Sequence, residues 1–176
     1  MIKVEIVKCL KDNFSYIVHN NNEALVIDPS ESGPPIESLE KLNLKLKYIL
    51  NTHHHFDHID GNLTLKEKYK CKIIGFIDDK KRIPGIDICL KNEEIFKEDD
   101  FQFKTYHTPG HTSGHICYHF FNDKILFTGD TLFSLSCGRL FEGTYEDMFR
   151  SLSLIKTFDK ETLILSLIHI SEPTRR

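Results

Sequence analysis

No stretch of this chain is long and apolar enough to span a bilayer, so no membrane-spanning helix is expected. The start, MIKVEIVKCLKDNF, lacks an apolar core of signal-peptide length and is broken by Glu5, so no secretory signal is expected there. Basic charge is not in excess: 23 Lys and Arg stand against 26 Asp and Glu, a net charge of -3. Neither nucleic acid nor a membrane surface is therefore expected as a partner. The densest lysine run, Lys66, Lys68, Lys70 and Lys72, is interrupted by Glu67 and reads as a solvated surface. The five cysteines are odd in number and include no CxxC pair, which argues against a disulfide framework and for free thiols in the cytoplasm. Tryptophan, internal repeats and low-complexity linkers are also missing. What remains is 176 residues of ordinary composition, 40% hydrophobic and 28% charged, enough for one domain with a real core.

The pattern is β-rich with helices interspersed. IKVEIV alternates Ile2, Val4 and Ile6 with polar residues and predicts a half-buried strand. NFSYIVHN and EALVIDP predict two more, parted by the turn signal NNN. IESLEKLNL spaces Ile36, Leu39 and Leu42 as a helix, and KYILN is a short apolar strand. NLTLKEKYK predicts a helix, CKIIGF a strand, DDKKRIPGIDI a loop and FQFKTYHT a strand. HICYHFF and KILFTGD predict a hairpin across Asn122 and Asp123. Thr144 and Asp147 form a capping box that opens a helix with Met148, Leu152 and Ile155 on one face. ETLILSLIHI predicts a last strand. The order implies an α/β protein of two sheets with helices outside.

Three strand-end loops carry the chemistry. After KYILN comes THHHFDH, with four histidines and an aspartate and no polar spacer. Neutral imidazoles and carboxylates suit zinc, iron or manganese. In a turn after a strand, His53 and His55 can converge on one ion while His54 points away, and Asp57 and His58 can face a second ion. His111 follows the Pro109–Gly110 turn in HTPGHTSGH, whereas His107, His115 and His119 fall in strand patterns and read as structural. Asp130 follows an apolar strand in FTGDTLF, beside Gly129, which permits close backbone approach.

THHHFDH fits the T-H-x-H-x-D-H signature, and the chain resembles the metallo-β-lactamase superfamily. On that resemblance the metal ligands are His53, His55, Asp57, His58 and His111, with Asp130 as the bridging carboxylate. SCGRLFEGT is similar to the loop of glyoxalase II, the hydroxyacylglutathione hydrolases, as are LKDNFSYIV and VIDPSES near the start. The resemblance covers roughly residues 1 to 165. It implies a four-layered αββα sandwich, incomplete at the C-terminus, with two divalent ions, zinc first with iron or manganese as alternatives. It implies hydrolysis of the thioester S-D-lactoylglutathione to D-lactate and glutathione, the last step of methylglyoxal detoxification. A metal-bound hydroxide would attack the thioester carbon, oriented by Asp57, and Arg139 would contact the glutathione part of the substrate. The expected partner is thus a small-molecule glutathione thioester, and the expected state is a cytoplasmic monomer.

The sequence departs from the family after the last strand, where a GHEYT-like segment should bring another histidine. The chain reads LSLIHISEPTRR, and His169 falls one residue late counted from Thr162, which on a strand turns the side chain to the other face. The ligand role is therefore not carried onto His169. The ending resembles translated sequencing-adapter read-through. The expected organisation is a catalytic domain over 1–165, a non-family tail over 166–176, and no C-terminal glutathione-binding helical domain. The alternatives are another enzyme of the same fold, such as a persulfide dioxygenase, or a metal-binding fragment without catalysis.

Overall fold

The structure, a computed structural model, describes residues 2–20, 22–98 and 100–166. His169, the end of the last predicted strand and all of the tail except Ser166 lie outside the described residues.

The chain builds two sheets in succession. The first uses β1 (Lys3–Cys9), β2 (Asn13–His19), β3 (Glu23–Ile27), β4 (Lys45–Leu50), β5 (Lys72–Phe76) and β6 (Ile88–Leu90), in that spatial order. Its first two pairings are antiparallel and the rest parallel, with α1 (Gly33–Lys41) and α3 (Asn62–Tyr69) in the crossovers. A short α2 (Phe56–Ile59) precedes α3. The second sheet runs β11 (Leu163–Ser166), β10 (Ile125–Gly129), β9 (Ile116–Phe120), β8 (Phe101–His107), β7 (Ile95–Glu98), antiparallel except for β10 with β11. The helix α4 (Tyr145–Ile155) connects β10 to β11.

Alternation along the strands sorts the side chains into layers. In β3, Leu25 and Ile27 join a core with Phe103, Tyr118 and Phe127 of the other sheet. Ala24 and Val26 face the opposite way, packing with Leu39 of α1 and Leu65 of α3. On the far side Cys117 and Leu126 meet Ile155 of α4. This is the expected αββα sandwich: parallel strands buried on both faces read as continuous apolar runs, as EALVI does.

The sequence reading needs correction in places. Ile6 does not share the buried face of β1 and is 61% exposed, while Val7 and Cys9 are buried with the outer helices. β1 is an edge strand, and Ile6 is left uncovered there among the described residues. The predicted loop DDKKRIPGIDI holds a 3-10 turn, Ile77–Asp79, and leads into β6. Neither β6 nor β7 was legible, being strands of three and four residues. The capping box forms as expected: the Thr144 hydroxyl accepts from Asp147 N, and Thr144 N donates to the Asp147 carboxylate at 2.9 Å. No helix among the described residues is long and apolar enough to cross a membrane.

Candidate metal centre

The histidine loop is fastened to both sheets. Asn51, past the end of β4, donates through its side chain to the His58 carbonyl at 3.1 Å, and its own carbonyl accepts from Tyr118 Oη at 2.7 Å. Thr52 O accepts from Ile116 N at 2.9 Å. The single turn of α2 then swings Asp57 and His58 back beneath His53, with His58 N bonded to His55 O at 2.9 Å.

His53, His55 and His111 each offer a nitrogen within 4.8 Å of the others. His111 Nε2 lies 2.9 Å from His55 Nδ1. Asp130 stands between this set and the next: Oδ2 is 3.4 Å from His111 Nε2, and Oδ1 is 3.4 Å from His58 Nε2. Asp57 Oδ2 is 3.7 Å from the same His58 nitrogen. All six residues singled out in the sequence therefore gather at one edge of the sandwich, in two adjacent sets that share Asp130. Gly129 makes room for this. Its φ is +49°, and a Cβ there would lie 2.6 Å from Thr52 Oγ1 and 2.7 Å from His115 Nε2.

The hydrogen bonds behind the histidines fix which nitrogen is free. His111 Nδ1–H donates to the Arg139 carbonyl at 2.7 Å, leaving the Nε2 lone pair for the cluster. His58 Nδ1–H donates to Asp28 Oδ2 at 3.1 Å. Thr52 Oγ1 donates to the same Asp28 Oδ2 and so receives His53 Nδ1–H at 3.0 Å. His53 Nε2, His58 Nε2 and Asp130 Oδ1 are buried and make no hydrogen bond. Orphaned buried polar atoms are costly, and three that converge beside two carboxylates fit a divalent cation. Asp28 also lies near His53 and His58. Its oxygens already serve Thr52 N, Thr52 Oγ1 and His58 Nδ1, so it supports the histidines from behind.

Charge follows burial. Desolvation, with neighbouring imidazoles, holds His53 and His115 well below the usual histidine range and lowers His111 to about 4, so these rings are neutral. His55 is lowered for the same reasons. Burial opposes charge on His58 too, but Asp130, Asp28 and Asp57 outweigh it and raise it to about 9. Burial raises Asp130 to about 6 against the pull of His58.

The other histidines are elsewhere. His54 turns out of the cluster toward Asp79, at 3.3 Å. His115 is wholly buried, stacks on His53 at 4.9 Å and accepts from Asp130 N at 3.0 Å. His107 stacks on Phe76 and His119 packs on Phe158. Sequence reasoning missed Asp28, Thr52 and Asn13. Asn13 donates to the Asp57 carbonyl at 3.0 Å and to its carboxylate at 3.3 Å. Asp28 ends an apolar strand, the same signal that marked Asp130. Asn13 had no such signal.

A cavity of about 400 Å³ opens over His55, Asp57, His111 and Asp130, with Phe56, Phe133, Arg139 and Phe141 as walls. Arg139 is exposed, with its guanidinium over the Phe141 ring at 5.4 Å. A larger cleft of about 510 Å³ lies across Glu142 between His107 and Arg150 but contains none of the converging ligands.

Residues 11–166 match the Metallo-beta-lactamase superfamily. A hydroxyacylglutathione hydrolase of Pelagibacter ubique is 53% identical over 165 residues, covering 93% of this chain and 69% of that protein. One from Methylococcus capsulatus is 42% identical over 166 residues, covering 93% and 65%. The chain thus spans about two thirds of the length of these relatives. Among solved structures, the BLEG-1 B3 metallo-beta-lactamase superposes with a TM-score of 0.88 at 25% identity, over 95% of this chain and 92% of that one. With sequence match, fold and metal-capable cluster in agreement, the chain belongs to the metallo-beta-lactamase superfamily.

Proposed function

We propose that the chain carries the catalytic centre of a hydroxyacylglutathione hydrolase, cleaving S-D-lactoylglutathione to D-lactate and glutathione. The observation that carries this reading is the sharing of Asp130 between two ligand sets, 3.4 Å from a nitrogen of each. Its support is the 53% and 42% identity to proteins of that name. His53, His55 and His111 would hold one ion and Asp57 and His58 the other, with Asp130 common to both. The proposed ions are zinc, with iron or manganese as alternatives, because this donor set suits all three. Divalent ions there supply the positive charge that polarises a carbonyl and acidifies water.

The chain's own residues do the rest. Asp57, held by Asn13 through both carbonyl and carboxylate, orients the attacking water. The exposed Arg139 guanidinium, backed by Phe141, binds an anionic part of the glutathione moiety. Phe56, Phe133 and Phe141 line the approach and limit water around the thioester. The leaving thiolate, from a thiol of pKa about 8.5, departs without a general acid. We further propose a monomer, and a cytoplasmic location with which five free cysteines are consistent.

The test is metal content per chain together with release of free thiol from S-D-lactoylglutathione. Glutathione persulfide with oxygen uptake is the contrasting assay. Thioester turnover that disappears with chelation is the expected result. Oxygen uptake without thioester turnover would overturn the proposal.

A further inference from the structure

Outside the ligand cluster, one polar network ties together three segments that are distant in sequence. Arg82, beyond the 3-10 turn, donates through Nη1 to both Glu142 carboxylate oxygens, at 2.7 and 2.9 Å. Its Nη2 donates to Ser113 Oγ at 3.0 Å and to the wholly buried carboxylate of Asp79. Ser113, two residues past His111, donates to Glu142 from N at 2.7 Å and from Oγ at 2.8 Å. His54 fits between, 3.3 Å from Asp79 and 3.4 Å from Glu142. Glu142 is held to about 2: burial raises it, but the Ser113 N–H and the Arg82 guanidinium prevail. It stays a carboxylate, able to accept all these bonds.

The consequence lies at the other end of the Glu142 segment. Residues 138–143 lie along the His111 loop through Phe141 N to His111 O at 3.1 Å and Gly143 N to Gly110 O at 3.1 Å, and start at the end of β10 through Gly138 N to Asp130 O at 2.9 Å. The same segment supplies the Arg139 carbonyl that accepts from His111 Nδ1. It also supplies Phe141, whose ring meets His55 at 5.4 Å and His111 at 5.3 Å. Gly138 allows this approach, because a Cβ would fall 2.1 Å from the Asp130 carbonyl oxygen and 2.9 Å from His111 Nδ1. The backbone bonds belong to an exposed loop, and each is weak in water. The multiply bonded pair of Arg82 and Glu142 anchors it.

We infer that Arg82 and Glu142 are positioning residues: they clamp residues 138–143 onto the His111 loop and thereby hold His111 in the orientation that a metal ion needs. Neither touches the ligand cluster. They act through the Arg139 carbonyl and the Phe141 ring. The inference rests on the proposed metal centre and not on the thioester substrate.

The experiment is Zn²⁺ affinity by chelator competition on the full chain. The variants are Arg82→Ala, Glu142→Ala, both together, and the milder Arg82→Lys and Glu142→Gln. Leu46→Ala, at the end of β4 away from the histidines, controls for general destabilisation. Partners behind a ligand typically contribute 10–100-fold to metal affinity, and the clamp lies one step further out, so each alanine variant is expected to lose about tenfold. The double variant should lose no more than either single one, since the two residues act as a unit. Leu46→Ala should lower thermal stability but leave Zn²⁺ affinity unchanged. Should an alanine variant fail to fold, the lysine and glutamine variants are expected to show the same loss in smaller measure. Unchanged affinity in the clamp variants, or an equal loss in the control, overturns the inference. A wild-type chain that binds Zn²⁺ but hydrolyses no thioester overturns the proposed function and leaves the clamp standing. A wild-type chain with no measurable Zn²⁺ affinity overturns both.

Discussion

Replacing Asp28 by asparagine tests whether charge from behind holds the histidines. Asp28 is wholly buried and accepts from Thr52 N at 2.7 Å, from Thr52 Oγ1, and from His58 Nδ1 at 3.1 Å. Its φ of 47° lies in the left-handed region, which asparagine tolerates and alanine does not, so Asp28→Asn removes charge without adding backbone strain. The Thr52 backbone N–H can only donate, so the amide keeps its oxygen there and puts its NH2 in the place of Oδ2, where it faces Thr52 Oγ1 and His58 Nδ1, two of the three native donors. A bond to a charged group contributes about 1.5–3 kcal/mol, and a buried donor left unpaired costs about 1–3 kcal/mol. The metal-free fold should therefore lose roughly 2–4 kcal/mol. The larger effect falls on His58. With an amide N–H opposite Nδ1, the ring proton is better placed on Nε2, the nitrogen that faces Asp57 and Asp130. Outer partners contribute about 10–100-fold to metal affinity. The upper value, about 2.8 kcal/mol, is expected for the ion beside His58. The lower value applies beside His53, which Asp28 reaches only through Thr52. Chelator competition on the metal-loaded chain and urea unfolding of the metal-free chain measure the two effects. If both affinities stay within about threefold of wild type while the unfolding midpoint drops, the carboxylate serves folding alone and the reasoning is refuted.

Arg139→Ala should raise KM about 10–100-fold with kcat nearly unchanged, because a charged contact to substrate is lost while the backbone carbonyl behind His111 remains. Steady-state kinetics on S-D-lactoylglutathione decide, and a fall in kcat alone would contradict the role. Gly138→Ala should cost about 1–3 kcal/mol by overpacking and weaken Zn²⁺ binding, since its Cβ meets the Asp130 carbonyl oxygen; thermal melts with and without Zn²⁺ report both. Thr144→Ala should cost about 1 kcal/mol in urea unfolding through loss of the N-cap. The acid dependence of that cap has a definite sign. Thr144 N–H and then its hydroxyl hold Asp147 at about 2, below its ordinary 3.8. The carboxylate's contribution is thus complete above the unfolded value and lost as pH falls from there toward about 2. The stability gap between wild type and Asp147→Asn should close over that window in pH-dependent melts.

The sequence by itself determined what depends on near neighbours. The spacing of THHHFDH places His53, His55, Asp57 and His58 within six residues of one loop and its following helical turn, directly after a strand that ends at the sheet edge. The capping box at Thr144 and the β9–β10 hairpin involve residues only a few positions apart, so local chemistry specified them. Strand-end position marked His111 and Asp130 only in combination with the THHHFDH loop and the family resemblance, since Asp28 carries the same signal and was missed. The tertiary structure alone decided what needs distant segments to meet. Asp28 and His58, Asn13 and Asp57, and Arg82 and Glu142 are 30, 44 and 60 residues apart, and no periodicity links the members of a pair. Ile6 shows the same limit in the core. Alternation told which side chains share a face of β1, but exposure depended on what the fold places over that edge strand, and among the described residues Ile6 is left uncovered. The ligand types could be read from the chain, whereas the nitrogen that His53, His58 and His111 present was fixed only by the acceptor the fold placed behind each of them.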